Sequence, residues 1–124
     1  MTTHYEQLGG EAFFADLVSQ FYAYVAVDPI LRPMYPESDM KGAARRLQMF
    51  LEQYWGGPTT YQEERGHPRL RMRHAGFHIN PAARDAWIGC MKLAVDGMDM
   101  DQAGKEKLWR YLEGTAQHLV NQLD

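Results

Sequence analysis

The clearest structural signal in the chain is the stretch GGEAFFADLVSQFYAYVAVDP, residues 9–29. Its large apolar side chains recur at intervals of three and four residues, which places them on one broad face of a helix. They are Phe13, Phe14, Leu17, Val18, Phe21, Tyr22 and Val25. Gly9-Gly10 precedes this pattern, and Asp28-Pro29 stops it near Ala26, because a proline disfavours a helical residue before it. The stretch therefore predicts a helix that buries a wide apolar face.

A second helix is predicted beyond a proline-containing loop at 30–38, with Ser38 or Asp39 as its N-cap. Gly56-Gly57-Pro58 ends this helix, since glycine and proline do not continue one. Its apolar face consists of Ala43, Leu47, Phe50, Leu51, Tyr54 and Trp55. The spacing again predicts an amphipathic helix that packs on a core.

Two further helices follow in the second half of the chain. Asn80-Pro81 is a strong helix start, with asparagine as the cap and proline at the first helical position. The helix that it opens carries Trp87, Cys90, Met91, Ala94 and Met98 on one face. A last helix is predicted from about Asp101 to Asn121, with Leu108, Leu112, Ala116, Leu119 and Val120 facing inward.

Residues 58–73 look irregular and basic, and at most one short helix fits there, around Arg69 to Ala75. No segment alternates with period two over the length of a strand, so the predicted fold is all-α. The helices can form two pairs that pack across each other as a two-over-two sandwich. The length of 124 residues suits one domain, residues 1–124.

Composition excludes several classes of function. The formal net charge of −3 argues against nucleic-acid binding, which needs a basic face. No apolar run approaches the roughly 18 residues of a membrane span, and no signal peptide is evident. Cys90 is the only cysteine, so an intrachain disulfide is impossible, and the cytoplasm is the expected location.

The aromatic content leaves two interpretations open. Three Trp, seven Tyr, five Phe and eight Met are many for a chain of this length. These side chains can simply fill a core, or they can line a pocket for a large, flat, apolar ligand. Tyr22, Tyr35 and Trp87 pose the same question singly, because each is either a core ring or a hydrogen-bond donor aimed into a cavity.

One of the five histidines stands apart. His74 follows Leu70 by four residues, arginines flank it, and Phe77 and Ile79 come after it. A neutral imidazole among apolar and cationic side chains suits an iron porphyrin with its carboxylates. His74 and His78 could share a helix face, but a third ligand for another kind of metal site is missing. The other histidines are interpreted as structural or solvated.

The chain resembles the truncated haemoglobins, and specifically the actinobacterial members of their second group, along essentially its whole length. The strings that carry the resemblance, in order, are Gly9-Gly10, Phe21-Tyr22, residues 31–36 (LRPMYP), 50–58 (FLEQYWGGP), 66–74 (GHPRLRMRH) and 85–87 (DAW). Each string alone is weak evidence, whereas their joint order and spacing are highly specific.

This resemblance implies a two-over-two globin that binds haem b, with His74 as the proximal iron ligand. Tyr22, Tyr35 and Trp87 match the family's distal positions, and Ala43 replaces the distal histidine of other globins. The remaining haem contacts that it implies are Arg46, Leu47, Phe50, Leu51, Tyr61, Leu70, Arg73, Phe77, Trp87 and Met91, with Arg46 and Arg73 facing the propionates.

Two functions are compatible with these residues. The first is tight binding of O₂, CO and NO, stabilised by hydrogen bonds from the distal tyrosines and tryptophan. The second is enzymatic, as a peroxidase or a nitric-oxide dioxygenase; an unidentified reductase would then supply electrons. A homodimer is compatible with either function. A haem-free helical interaction module is the third and least favoured hypothesis.

Overall fold

The computed structural model describes residues 3–35, 40–66 and 79–121. Within these ranges every regular element is helical, which confirms the all-α prediction. The α-helices within these ranges are α1 (His4–Leu8), α2 (Gly10–Val25), α3 (Met40–Tyr54), α4 (Thr60–Arg65), α5 (Pro81–Asp96) and α6 (Gln102–His118). A 3₁₀ turn, Arg32–Met34, follows α2.

The caps explain why α5 and α6 begin where they do. The side chain of Asn80 accepts a hydrogen bond from the Ala83 N–H at 2.8 Å, and Pro81 occupies the first turn of α5 as predicted. Asp101 accepts from the Gly104 N–H at 2.6 Å and so starts α6. This last helix ends at His118, short of the predicted Asn121. The predicted cap of α3, Ser38 or Asp39, lies outside the described residues.

Two short helices were missed by the sequence patterns. Thr3 caps α1 by accepting from the Glu6 N–H at 3.2 Å, and the Tyr5 N–H donates to the Trp55 carbonyl at 2.8 Å. The N-terminal segment from Thr3 is therefore pinned to the end of α3. The helix α4 occupies part of the region expected to be irregular, while Arg69 to Ala75 falls outside the described residues.

The four long helices form two layers. Helix α2 packs against α3 and α5, and α5 packs against α6, so the pairs α2/α3 and α5/α6 make the predicted two-over-two sandwich. Its centre consists of fully buried side chains from all four helices: Phe14, Leu17, Phe21, Val25, Leu51, Met91, Leu108 and Leu112. In the described ranges, none of the helices is both long and apolar enough to cross a membrane.

The end of α3 corrects one prediction and explains a glycine. Tyr54 was expected on the buried face, but it is 54% exposed, with one side of its ring stacked on Tyr111. Gly57 follows at a close crossing, where a Cβ would lie 2.6 Å from the Tyr5 ring and 2.8 Å from the Glu52 carbonyl oxygen. Only glycine fits there without moving α1.

Candidate functional site

A cavity of about 300 Å³ lies between the two helical layers. This volume is at the lower end of the roughly 300–1,000 Å³ that is usual for small-molecule sites. Every helix from α2 to α6 contributes to its wall, together with the segment around the 3₁₀ turn. The lining residues are Tyr22, Leu31, Met34, Tyr35, Ala43, Arg46, Leu47, Phe50, Leu51, Tyr61, Arg65, Ile79, Ala83, Arg84, Trp87, Tyr111, Leu112, Thr115, Ala116 and Leu119.

The broad walls of the cavity are apolar. Leu47, Phe50 and Leu51 lie at helical spacing on α3, so one face of that helix supplies them all. Leu112 and Ala116, one turn apart on α6, also line the cavity. Two helices on different layers thus provide hydrophobic surface to a single space, which suits a flat apolar molecule held between them.

Arginine side chains also line this cavity. Arg46 of α3, Arg65 of α4 and Arg84 of α5 all belong to its lining. Arg84 pairs with Asp85 at 2.9 Å and also donates to the Gln117 side chain. Guanidinium groups bind carboxylates and phosphates through paired hydrogen bonds, so the wall can receive an anionic group on an otherwise apolar ligand.

Three side chains with hydrogen-bond donors converge at one end of the cavity, and we call Tyr22, Tyr35 and Trp87 the three-donor corner. The rings of Tyr22 and Tyr35 meet edge to face at 5.6 Å, and Trp87 packs on Phe21 at 5.1 Å. Burial raises the pKa of the Tyr35 hydroxyl, while hydrogen bonds from Tyr22 and Trp87 to its oxygen act to lower that pKa. An indole N–H can only donate, so Trp87 acts on the Tyr35 oxygen as a donor, whereas the hydroxyls of Tyr22 and Tyr35 can each donate or accept.

Cys90, one turn after Trp87, has a thiol that is a poor nucleophile at neutral pH. Its thiol is buried and faces the Asp28 carboxylate, with Sγ 3.9 Å from Oδ2. Burial raises the pKa of this thiol, and the carboxylate raises it further. A protonated thiol is a poor nucleophile and a poor metal ligand, so Cys90 acts here as a small buried side chain.

The histidines divide into two groups. His4 and His118 are exposed and lie outside the cavity lining; the His4 ring packs against Trp55 at 5.9 Å instead. The predicted ligand His74 lies outside the described residues, together with His67, His78, Leu70, Arg73 and Phe77. In the part of the chain that the structure does describe, no three histidine, cysteine or carboxylate side chains form a possible metal site.

The other predicted contacts can be located. Arg46, Leu47, Phe50, Leu51, Tyr61 and Trp87 all line the cavity. Met91 is fully buried in the helical core. Sequence reasoning missed the cavity residues Arg65, Arg84 and Tyr111. Thr115 was also missed, although it lies one turn from Leu112 on the inward face of α6 and could have been found by that spacing.

A second aromatic group, which we call the aromatic stack, consists of Tyr54, Trp55 and Tyr111. Tyr54 and Tyr111 lie nearly parallel with ring centroids 3.7 Å apart, and Trp55 meets both rings edge to face. The indole N–H of Trp55 is buried and has no hydrogen-bond partner among the described residues. Lys107 lies over the Trp55 ring at 5.6 Å. These contacts join α3 to α6 through ring surfaces rather than through polar groups.

Comparisons with known proteins agree with this architecture. Residues 3–121 match the family described as bacterial-like globin. The chain is 46% identical over 120 residues to a group 2 truncated haemoglobin of Bacillus subtilis strain 168, an alignment that covers 97% of this chain and 89% of the relative.

Solved structures with high similarity include two haemoglobins. A thermostable haemoglobin of the actinobacterium Thermobifida fusca superposes with a TM-score of 0.95 at 50% identity, covering 99% of this chain and all of that one. A truncated oxygen-avid haemoglobin of Bacillus subtilis superposes with a TM-score of 0.90 at 45% identity, covering 97% of this chain and 100% of that one.

Proposed function

The chain belongs to the bacterial-like globin family, among the group II truncated haemoglobins, and on this premise we propose that it holds haem b in the cavity between α3 and α6 and binds O₂, CO and NO there. The observation that carries the proposal is the three-donor corner at one end of an otherwise apolar cavity. Apolar walls retain a macrocycle, and donors clustered at one end can hold a polar ligand beside it.

The residues present fit a haem. Leu47, Phe50 and Leu51 of α3 would pack against one part of the macrocycle, and Leu112 and Ala116 of α6 against another. Haem carries two propionates, and the guanidinium groups of Arg46, Arg65 and Arg84 belong to the same wall. Burying the apolar ring stabilises the complex, while the arginines orient it.

We assign the proximal iron ligand to His74. A haem protein of this kind needs an imidazole on the iron. His4 and His118 are exposed and away from the cavity lining, which leaves His67, His74 and His78. Arg65 and Ile79, which stand on either side of the segment that contains these three, both line the cavity. Among the three, the Leu70-to-His74 spacing and the family resemblance favour His74.

Bound haem supplies an iron that takes O₂, CO or NO as a ligand. Tyr22, Tyr35 and Trp87 then determine which ligand is held best. A hydroxyl has one proton and two lone pairs, so the Tyr35 oxygen can accept from Trp87 and still offer its own proton to a ligand in the cavity. A ligand that acquires partial negative charge, as O₂ does, gains more from this donor than CO does. The likeness to an oxygen-avid haemoglobin supports tight O₂ binding.

The first test is spectroscopic. The purified protein should show an intense Soret band, and its pyridine haemochrome should be that of haem b. Substituting His74→Gly should remove most of the bound haem or leave an iron whose histidine-type spectrum returns on adding imidazole. His118→Gly, at an exposed histidine, is the matched control and should retain a normal spectrum. A normal histidine-ligated spectrum in the His74 variant would transfer the assignment to His67 or His78.

A further inference from the structure

The segment between α2 and Tyr35 is organised by one carboxylate. Asp28 Oδ1 accepts hydrogen bonds from the backbone N–H groups of Ile30 and Leu31, both at 2.9 Å. The Arg32 N–H donates to the Asp28 carbonyl at 3.0 Å. Asp28 therefore fixes the path of the chain as it leaves α2 and directs it into the 3₁₀ turn.

Arg32 holds the end of this segment through two hydrogen bonds with the backbone of Tyr35. Its guanidinium Nη1 donates to the Tyr35 carbonyl at 2.7 Å, and the Tyr35 N–H donates back to the Arg32 carbonyl at 3.2 Å. The N–H and C=O of Tyr35 are thus both held by the same residue. The short distance is typical of a hydrogen bond from a charged donor, which is stronger than one between neutral groups. Two bonds that flank one Cα restrict both backbone angles of Tyr35 and so orient its ring.

The same segment is also aligned with α5. Asp28 Oδ2 faces the Cys90 thiol at 3.9 Å, and Cys90 lies one turn beyond Trp87. The carboxylate that shapes the start of the segment therefore contacts the helix that carries one of Tyr35's two hydrogen-bond partners. A shift of the segment along α5 would separate the Tyr35 hydroxyl from the Trp87 indole.

We propose that Arg32, together with Asp28, is a positioning residue that holds the Tyr35 hydroxyl against Tyr22 and Trp87 and thereby sets the preference of the cavity for O₂ over CO. This inference rests on the proposed function, because it concerns the hydrogen bond offered to a ligand. A hydrogen bond prefers an angle above about 150° and weakens steeply below about 120°. A rotation of Tyr35 that takes the angle into this lower range would therefore cost much of the stabilisation without removing the hydroxyl.

The main test substitutes Arg32→Met, which keeps an unbranched side chain and removes every donor. Release of O₂ should accelerate by about three- to tenfold, which is part of the effect of losing a hydrogen bond to a charged acceptor. Release of CO should change by less than about twofold, because CO gains less from the donor. Arg110→Met, at an exposed arginine of α6, is the matched control and should leave both rates unchanged. Arg32→Lys retains a charged donor and should restore part of the O₂ retention.

A second readout does not depend on gas release. In the CO-saturated protein labelled with ¹⁵N, the three tryptophans give three indole N–H signals, assigned by substituting each tryptophan with phenylalanine. Arg32→Met should move the Trp87 signal, because its acceptor moves, and leave the Trp55 signal in place. Asp28→Ala disturbs the start of the same segment and should therefore produce the same shift and the same faster O₂ release. This second variant keeps the test informative if the Arg32 variant does not fold.

The outcomes separate this inference from the proposed function. Faster O₂ release with little change for CO and a moved Trp87 signal supports positioning. Equal acceleration for both gases, or unchanged O₂ release while Tyr35→Phe accelerates it, overturns the role of Arg32 and leaves the function intact. Unchanged O₂ release in Tyr35→Phe itself contradicts the donor assignment and the inference with it, while the Soret band still reports haem binding.

Discussion

The three-donor corner and the aromatic stack are built from the same residue types and differ in what their polar atoms do. In the three-donor corner, all three residues line one cavity, and hydrogen bonds with Tyr22 and Trp87 act to lower the pKa of the Tyr35 hydroxyl. In the aromatic stack, the Trp55 indole N–H is buried with no partner among the described residues. A buried donor normally finds an acceptor, so the Trp55 indole is an exception, and ring packing rather than this hydrogen bond holds the stack. The two regions thus differ in whether their polar atoms have partners, although Tyr111 of the aromatic stack lines the same cavity.

Among the substitutions that compare these two regions, Tyr35→Phe should change the rate of O₂ release the most. It removes a hydroxyl that lines the cavity and that can itself donate to a ligand. A hydrogen bond to a charged acceptor contributes about 1.5–3 kcal/mol, so O₂ release should accelerate roughly ten- to hundredfold. Stopped-flow displacement of O₂ by CO measures the rate. Tyr54→Phe, in the aromatic stack, is the control and should leave the rate within about twofold of the wild type.

Trp87→Phe should have the next largest effect, with O₂ release faster by about tenfold. The same substitution at Trp55 removes an indole N–H that has no partner in the described chain, so O₂ release should not change. The double variant Trp87→Phe with Tyr22→Phe should be non-additive, because neighbouring donors can replace one another. If the Trp87 and Trp55 substitutions changed O₂ release equally, the indole N–H of Trp87 would have no special part in holding the ligand.

A substitution at Glu52 should have the smallest effect of the three. It should change the thermal stability of the fold near the aromatic stack rather than the release of O₂. This carboxyl is buried and accepts from the Tyr5 hydroxyl at 3.3 Å, while the Tyr5 N–H bonds to Trp55. Burial raises the pKa of Glu52, and the charge of Glu11 adds to the rise, whereas hydrogen bonds from Tyr5 and Gln48 oppose it. A raised pKa means that the folded state binds the proton more tightly than the unfolded state does. The resulting stabilisation is complete below the unfolded pKa and is lost as pH rises through the folded pKa.

Glu52→Gln should therefore match the wild type in acid and exceed it near neutral pH. We expect Tm at about pH 7 to be higher by about 2–4 °C, with the difference vanishing near about pH 4. Differential scanning calorimetry across this range measures it, and Glu113→Gln at an exposed glutamate is the control. Oxygen release should be unaffected, since Glu52 is absent from the cavity lining among the described residues. A variant less stable than the wild type at neutral pH would contradict this account.

Much of the fold could be predicted because its signals are local. The apolar period of Phe13 to Val25 marks α2, and Asn80-Pro81 marks the start of α5, as the structure confirms. The helices α1 and α4 were missed because they are too short to display a period. Isolated helices of this length are unstable in water, so tertiary contacts maintain them: the Tyr5–Trp55 backbone bond for α1, and the packing of the buried Tyr61 ring against Phe50 at 5.6 Å for α4.

The sequence by itself determined the helical class and the kinds of residue available for a ligand, because backbone periodicity and side-chain chemistry are local properties. Only the tertiary structure decided which aromatic side chains meet at the cavity. Tyr22, Tyr35 and Trp87 come from α2, the end of the 3₁₀ turn and α5, and their convergence depends on how these elements cross. Tyr54 shows the converse, since its spacing predicts burial, whereas in the folded chain it is 54% exposed and packs on Tyr111 of α6 by ring stacking. Packing between distant segments is a sum of many small terms, and no short window of sequence contains it.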